Sequence, residues 1–346
     1  MIMTLTRPIR RTTFVTAQFV FLGLALLCFA SQGIAAPSPD AKATARSVFD
    51  SVVRVTTKIP SSARTAATLG RERDGSGVVI DANGLVLTIG YVMLEAEEAT
   101  IGLADGSKIP ASLIAYDYDT GFGLLRANGP LGVKPIDLGN SAALAAKDRV
   151  MVSSFGGQAM AMPAFVVSRR PFAGYWEYLL ENAIFTAPPH PAFGGAALLS
   201  GDGKLVGIGS LVIPDAAGPR QALPGNMFIP INRLKPILAD LLDKGRAATV
   251  RRPWLGLFSE EIRGRLFVTR VSPGGPAQAA GIKPGDMVVG IGGKQFTDLA
   301  DFYRKVWALG TPGVTVPLDV LRGIAVTPIP IKSGDRYRWL KLDRSY

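Results

Sequence analysis

The chain has 346 residues, 48% hydrophobic and 19% charged, with 39 glycines and 25 prolines; that is apolar material for two cores with ample turn chemistry, and it excludes global disorder. One cysteine, Cys28, and one histidine, His190, exclude an intrachain disulfide, a histidine-rich metal site and a Cys–His catalytic pair. The net charge of +11 falls to +8 without Arg7, Arg10 and Arg11, leaving 35 basic against 27 acidic residues. These cations are dispersed, with no basic run interleaved with aromatics, so no nucleic-acid partner is expected.

The three arginines precede an uninterrupted apolar run from Phe19 to Ala30, and Gly33-Ile34-Ala35 then offers small residues at both positions read by a signal peptidase. Residues 1–35 are expected to be a signal peptide cut after Ala35. Twelve apolar residues fall short of the roughly 20 that span a bilayer, so membrane attachment is expected only if the segment stays uncleaved. Cys28, between Leu27 and Phe29, lacks the small neighbour of a lipid-attachment site and reads as apolar filler. The mature chain is then cysteine-free, which suits the bacterial periplasm, with burial supplying the stability.

From Ser51 onward short apolar runs alternate with turn residues: Val52 to Val55, Val78 to Ile80, Leu85 to Leu87, then 111–115, 123–126, 150–153, 165–168 and 204–213. Period two at this spacing predicts strands, and their density predicts a barrel or sandwich. Asp81-Ala82-Asn83-Gly84 supplies the positive φ that a tight hairpin needs. Over 231–244, Leu234, Ile237, Leu238, Leu241 and Leu242 form one stripe with Gly245 as a stop, predicting a helix that closes a first domain. Residues 246–252 are polar and basic ahead of Pro253, the chemistry of a linker. A second unit runs to residue 332, with strands expected near 255 and over 266–271, 287–291 and 314–321. A turn is expected at 272–276, a short helix through Ala280 and a longer one over 298–309. Residues 333–346 are expected to be a loose charged tail.

Gly75-Ser76-Gly77-Val78-Val79-Ile80-Asp81-Ala82-Asn83-Gly84-Leu85-Val86-Leu87-Thr88 closely resembles the opening of the protease domain in the HtrA family (DegP- and DegS-like) of exported trypsin-like serine proteases. Later segments keep the family's order. Asp117-Tyr118-Asp119-Thr120-Gly121-Phe122-Gly123-Leu124-Leu125 resembles the stretch bearing its catalytic Asp. Gly194-Gly195-Ala196-Ala197-Leu198-Leu199 through Gly207-Ile208 resembles its nucleophile loop and following hairpin, and Asn226 to Asn232 the segment leading into its last helix. Trp254-Leu255-Gly256-Leu257, Gly281-Ile282-Lys283-Pro284-Gly285-Asp286 and Leu321-Arg322-Gly323 resemble its PDZ domain. The resemblance implies a mainly β fold: a trypsin-like double β-barrel over 48–245, the linker 246–252, and an α+β PDZ domain over 253–332. It also implies oligomers, either a homotrimer or a mixed assembly with an active HtrA relative.

Acyl transfer by a serine needs a nucleophile, an imidazole to take its proton and a carboxylate to orient that imidazole. In the register of the resemblance these places hold Tyr91, Gly121 and Gly194, so no catalytic residue is expected there. A phenol with pKa about 10 is a poor base near neutrality. Pro191-Ala192-Phe193 also replaces the family's small residues before the nucleophile, which puts the oxyanion hole in doubt. The rescues considered are His190 as a relocated base, Ser153 or Ser154 activated by Lys147 or Lys204, and Asp117 with Asp119 as an acid pair. The carboxylates are expected to be solvated caps near a turn.

PDZ domains add an extended peptide as a strand and hold its terminal carboxylate on backbone amides. The resemblance assigns that loop to Trp254-Leu255-Gly256-Leu257, with Leu255, Leu257, Phe302 and Val306 lining the pocket for the last side chain. The expected function is a periplasmic, catalytically inactive HtrA-like protein that binds peptide C-termini or misfolded proteins as adaptor, sensor or chaperone-like partner. An active endopeptidase using other residues, or a regulatory subunit of an active paralogue, is the alternative. No cofactor and no metal are expected.

Overall fold

The computed structural model describes residues 48–219 and 221–342; the expected signal segment and Cys28 lie outside them. The first barrel comprises β1 (Val52–Lys58), β2 (Glu72–Val79), β3 (Leu85–Ile89), β4 (Glu98–Gly102), β5 (Lys108–Tyr116) and β6 (Phe122–Ala127), closed in the order β1-β2-β3-β6-β5-β4. The second comprises β7 (Arg149–Ser153), β8 (Ala161–Gly174), β9 (Tyr178–Ala187), β10 (Ala197–Leu199), β11 (Leu205–Ile213) and β12 (Gly225–Pro230), and read from β7 it repeats the same order. Closure leaves neither barrel an unpaired edge, and inward residues such as Val55, Val86, Leu124, Phe185 and Ile208 are fully buried. Each such side chain contributes about 1.5 to 3 kcal/mol on leaving water.

The β2–β3 turn forms as its residues predict. Gly84 takes a φ of 74°, and the Asp81 carboxylate accepts from the amides of Asn83 and Leu85 at 2.9 and 2.8 Å. The helix expected over 231–244 is instead split: a 3-10 turn over Ile231–Arg233, then a helix only over Leu238–Lys244. Pro236 is the physical reason, since its ring lacks the amide proton and crowds the preceding turn. Gly245 ends the helix at a φ of 68°.

The last sheet runs β13 (Leu257–Ile262), β14 (Arg265–Val271), β15 (Met287–Ile291), β16 (Thr315–Arg322) and β17 (Ala325–Lys332), in that order. Against it lie a short helix, Pro276–Ala279, and the helix Leu299–Trp307, whose cap Asp298 accepts from the Asp301 amide at 2.8 Å. The strand expected near 255 starts only at Leu257. β17 is absent from the sequence reading because Pro328 and Pro330 argue against a strand; as an edge strand it tolerates them, and it buries Ile329 and Ile331.

The tail expected to be loose is folded as far as it is described. Asp335 caps the helix Arg336–Trp339, and the Trp339 ring lies 4.8 Å from that of Trp254. Arg336 stacks 3.5 Å over Tyr118, and the Tyr337 hydroxyl accepts from the Tyr118 amide at 2.9 Å. Aromatic and cation–π contacts anchor a segment that its charge alone would leave in solvent.

Candidate functional site

β3 runs into the four-residue helix Gly90–Met93, which places Tyr91 at the rim of a cleft between the barrels. Its hydroxyl donates to the Ser210 carbonyl of β11 at 2.9 Å. Burial pushes its ionisation further above the ordinary phenol range, so it is no base near neutrality. Gly194 arrives from the loop before β10: its carbonyl accepts from the Ser76 amide at 2.8 Å, and a Cβ there would stand 2.9 Å from the Tyr91 Oη. Gly121 comes from the β5–β6 turn, its carbonyl accepting from the Gly90 amide at 2.7 Å. The fold therefore brings Tyr91, Gly121 and Gly194 to one place. Tyr91 and Gly121 line a cavity of about 410 Å³ whose other walls include Tyr116, Trp176, Tyr178 and Phe193.

His190 is buried and tied to backbone at both ring nitrogens. Nδ1 accepts from the Ala192 amide at 3.1 Å, which places the proton on Nε2, 3.1 Å from the Met160 carbonyl. Neither nitrogen has a lone pair free to accept a proton from a nucleophile. The hydroxyls of Ser153 and Ser154 are buried with no hydrogen-bond partner, while Lys204 pairs with Asp202 at 3.0 Å. Asp117 and Asp119 are not the solvated caps expected. Asp117 is buried and closes its own turn, accepting from the Thr120 amide and hydroxyl at 2.9 and 2.5 Å. Burial raises the Asp119 carboxyl to about 6, with Arg252, 3.3 Å away, pulling it back.

In the second unit Gly256 takes a φ of 79°, and Leu255, Leu257, Phe302 and Val306 are buried in one core. Trp254 exchanges two backbone hydrogen bonds with Gly334, at 3.0 and 2.8 Å. Two of the loop's amides are occupied: Leu255 and Leu257 donate to the Glu177 carboxylate at 2.9 and 2.7 Å. Burial pushes this carboxyl up to about 7, and the amides offset that only in part. Glu177 ends the hairpin tip between β8 and β9 at a φ of 56°, a left-handed conformation that favours glycine.

The model for a trypsin-like peptidase domain matches residues 75–208, and that for a PDZ domain matches residues 253–332. The chain joins a trypsin-like domain to a PDZ domain. The HtrA-like chain is 30% identical over 263 residues to the periplasmic pH-dependent serine endoprotease DegQ of Escherichia coli (strain K12), covering 72% of itself and 56% of DegQ. It is 29% identical over 272 residues to the periplasmic serine endoprotease DegP of Salmonella typhimurium, covering 73% of itself and 55% of DegP. It thus spans about half the length of these relatives. The serine endoprotease from Yersinia pestis matches its structure with a TM-score of 0.51 at 22% identity, over 87% of this chain and 99% of that one. The HtrA-type protease AlgW with tripeptide gives 0.50 at 22% identity, over 87% and 98%. At these identities the structural likeness is one of fold.

The motifs of the sequence single out the loop 254–257 but not what meets it. Tyr303 is the neighbour of Phe302 on the helix Leu299–Trp307; its hydroxyl accepts from the Glu177 amide at 3.1 Å and donates to the Gly174 carbonyl at 2.8 Å. Tyr118 donates to the carbonyls of Trp176 and Glu177 at 2.7 and 2.6 Å. The available signal was compositional: Tyr175-Trp176-Glu177-Tyr178 packs three aromatics around one acid where a hairpin tip would ordinarily be small and polar.

Proposed function

We propose that this HtrA-like protein is exported to the periplasm, does not cleave peptides, and binds peptide C-termini or unfolded segments through its PDZ domain. One observation carries the loss of catalysis: the Tyr91 hydroxyl is fastened to a backbone carbonyl beside a Gly194 that offers no nucleophile. The commitment of both His190 nitrogens supports it, because the chain's single imidazole is then no general base. The Ala192 amide, two residues before Gly194, is spent on His190 rather than aimed into the cleft. Removal of a whole serine triad lowers turnover by about 10⁶. The binding half rests on the backbone amides of Leu255 and Leu257, which converge on a carboxylate. The purified full chain should release no casein fragments above the buffer rate and should take no fluorophosphonate label. Casein cleavage that disappears in His190→Ala would overturn the proposal.

A further inference from the structure

The free edge of β13 is already occupied. β13 is the outer strand of the PDZ sheet, and successive alternate amides on its approach and edge all have acceptors from one hairpin tip. Leu255 and Leu257 donate to the Glu177 carboxylate at 2.9 and 2.7 Å, and Ser259 donates to the Tyr175 carbonyl at 2.8 Å. A carboxylate at one end and a main-chain carbonyl two residues earlier is the pattern of an extended chain that ends in a carboxylate and is added to a sheet edge. Leu179, just past the tip, is buried in the same core cluster as Leu257, Phe302 and Val306. Nothing in hairpin geometry calls for glutamate at residue 177; its left-handed φ would suit glycine, and only the carboxylate explains the choice.

We infer that the Tyr175–Glu177 tip is a built-in occupant of the PDZ groove, its side-chain carboxylate standing where a peptide's terminal carboxylate would bind, so that an external C-terminus enters only by displacing it. This rests on reading the groove as a C-terminal peptide site. The β8–β9 hairpin also borders the aromatic cleft through Trp176 and Tyr178.

The test uses the full chain as wild type, Glu177→Ala and Glu177→Gln, with melting curves to establish that each is folded. The probe is fluorescein-labelled Gly-Tyr-Trp-Leu with a free terminal carboxylate, which copies the tip and supplies an apolar last residue, beside its C-terminal amide. Amide hydrogen exchange at Leu255, Leu257 and Ser259 should be at least about tenfold faster in Glu177→Ala, and the free acid should bind that variant at least about tenfold more tightly than wild type. The amide-capped probe should bind neither. Unchanged exchange in both variants, or equal binding by wild type and Glu177→Ala, would overturn the occupancy and leave the peptide reading standing. Faster exchange without binding by either protein would overturn displacement and the peptide reading together.

Discussion

The cleft between the barrels and the groove of the PDZ domain are both closed by the chain's own residues, but the means differ. In the cleft, the places that the resemblance assigns to acyl transfer hold a hydrogen-bonded phenol and two residues with no side chain, Tyr91, Gly121 and Gly194. In the groove, the amides of Leu255 and Leu257 are in place and a carboxylate sits on them. Chemistry that lives in side chains can be removed by substitution. Chemistry that lives in backbone amides persists while the loop keeps its path, and here it is covered.

The sharpest way to break that contrast is at the cleft's backbone. Gly195 has a φ of 74°, and a Cβ there would fall 1.9 Å from the Ser76 carbonyl oxygen, so Gly195→Ala should cost more than about 3 kcal/mol in urea unfolding. A cost near zero would mean that this loop yields to a side chain at Gly195. Gly194→Ser meets only the movable end of Tyr91, at 2.9 Å, and should be milder.

A second measurement sharpens the groove's side of the comparison. With Glu177 seated, its carboxyl lies near 7, against 4.5 when exposed. Below about 4.5 both states are protonated and the seated tip has its full advantage; as pH rises to 7 the exposed form ionises first, so that advantage falls away. Amide exchange at Leu255 and Leu257, referred to the intrinsic rate at each pH, should therefore speed up by at least about tenfold between pH 5 and 8, and that increase should vanish in Glu177→Ala. The charged and titratable neighbours that share the cavity are Asp117, Tyr118, Asp119, Lys244, Arg246, Arg251, Arg252, Asp335, Arg336 and Tyr337, with Tyr303 against the Glu177 amide. A slope that persists in Glu177→Ala would assign the effect to one of them.

The smallest effect is expected at the rim. Arg304 holds Glu181 through two bonds, at 2.9 and 3.0 Å, but both side chains are nearly half exposed, 45% and 48%. Arg304→Ala should change unfolding stability by less than about 1 kcal/mol and peptide affinity by less than about threefold. A larger effect than at Glu177 would move the closure from the seated carboxylate to the surface ion pair.

Much of the fold was legible in the residues because local rules carried it. Alternating apolar runs marked most barrel strands, Asn83-Gly84 marked a hairpin, and the stripe on Leu299–Trp307 marked the helix that buries Phe302 and Val306. The convergence of Tyr91, Gly121 and Gly194 followed from motif order once the resemblance was seen. What misled was a local signal overridden: Pro236 inside an apolar stripe, prolines on an edge strand, and charge in a tail whose aromatics found partners.

By itself the sequence determined two β-rich units and the poverty in imidazole and thiol that restricts their chemistry, and through its resemblance it pointed to the loop 254–257. Only the tertiary structure decided that Glu177, about 80 residues upstream of that loop, is the carboxylate seated there. The reason is physical. Strand period and turn chemistry act over a few residues and leave a pattern in the chain, whereas the meeting of Glu177 with Leu255 and Leu257 depends on how a barrel hairpin docks against a separate sheet, for which neighbouring residues carry no periodic signal.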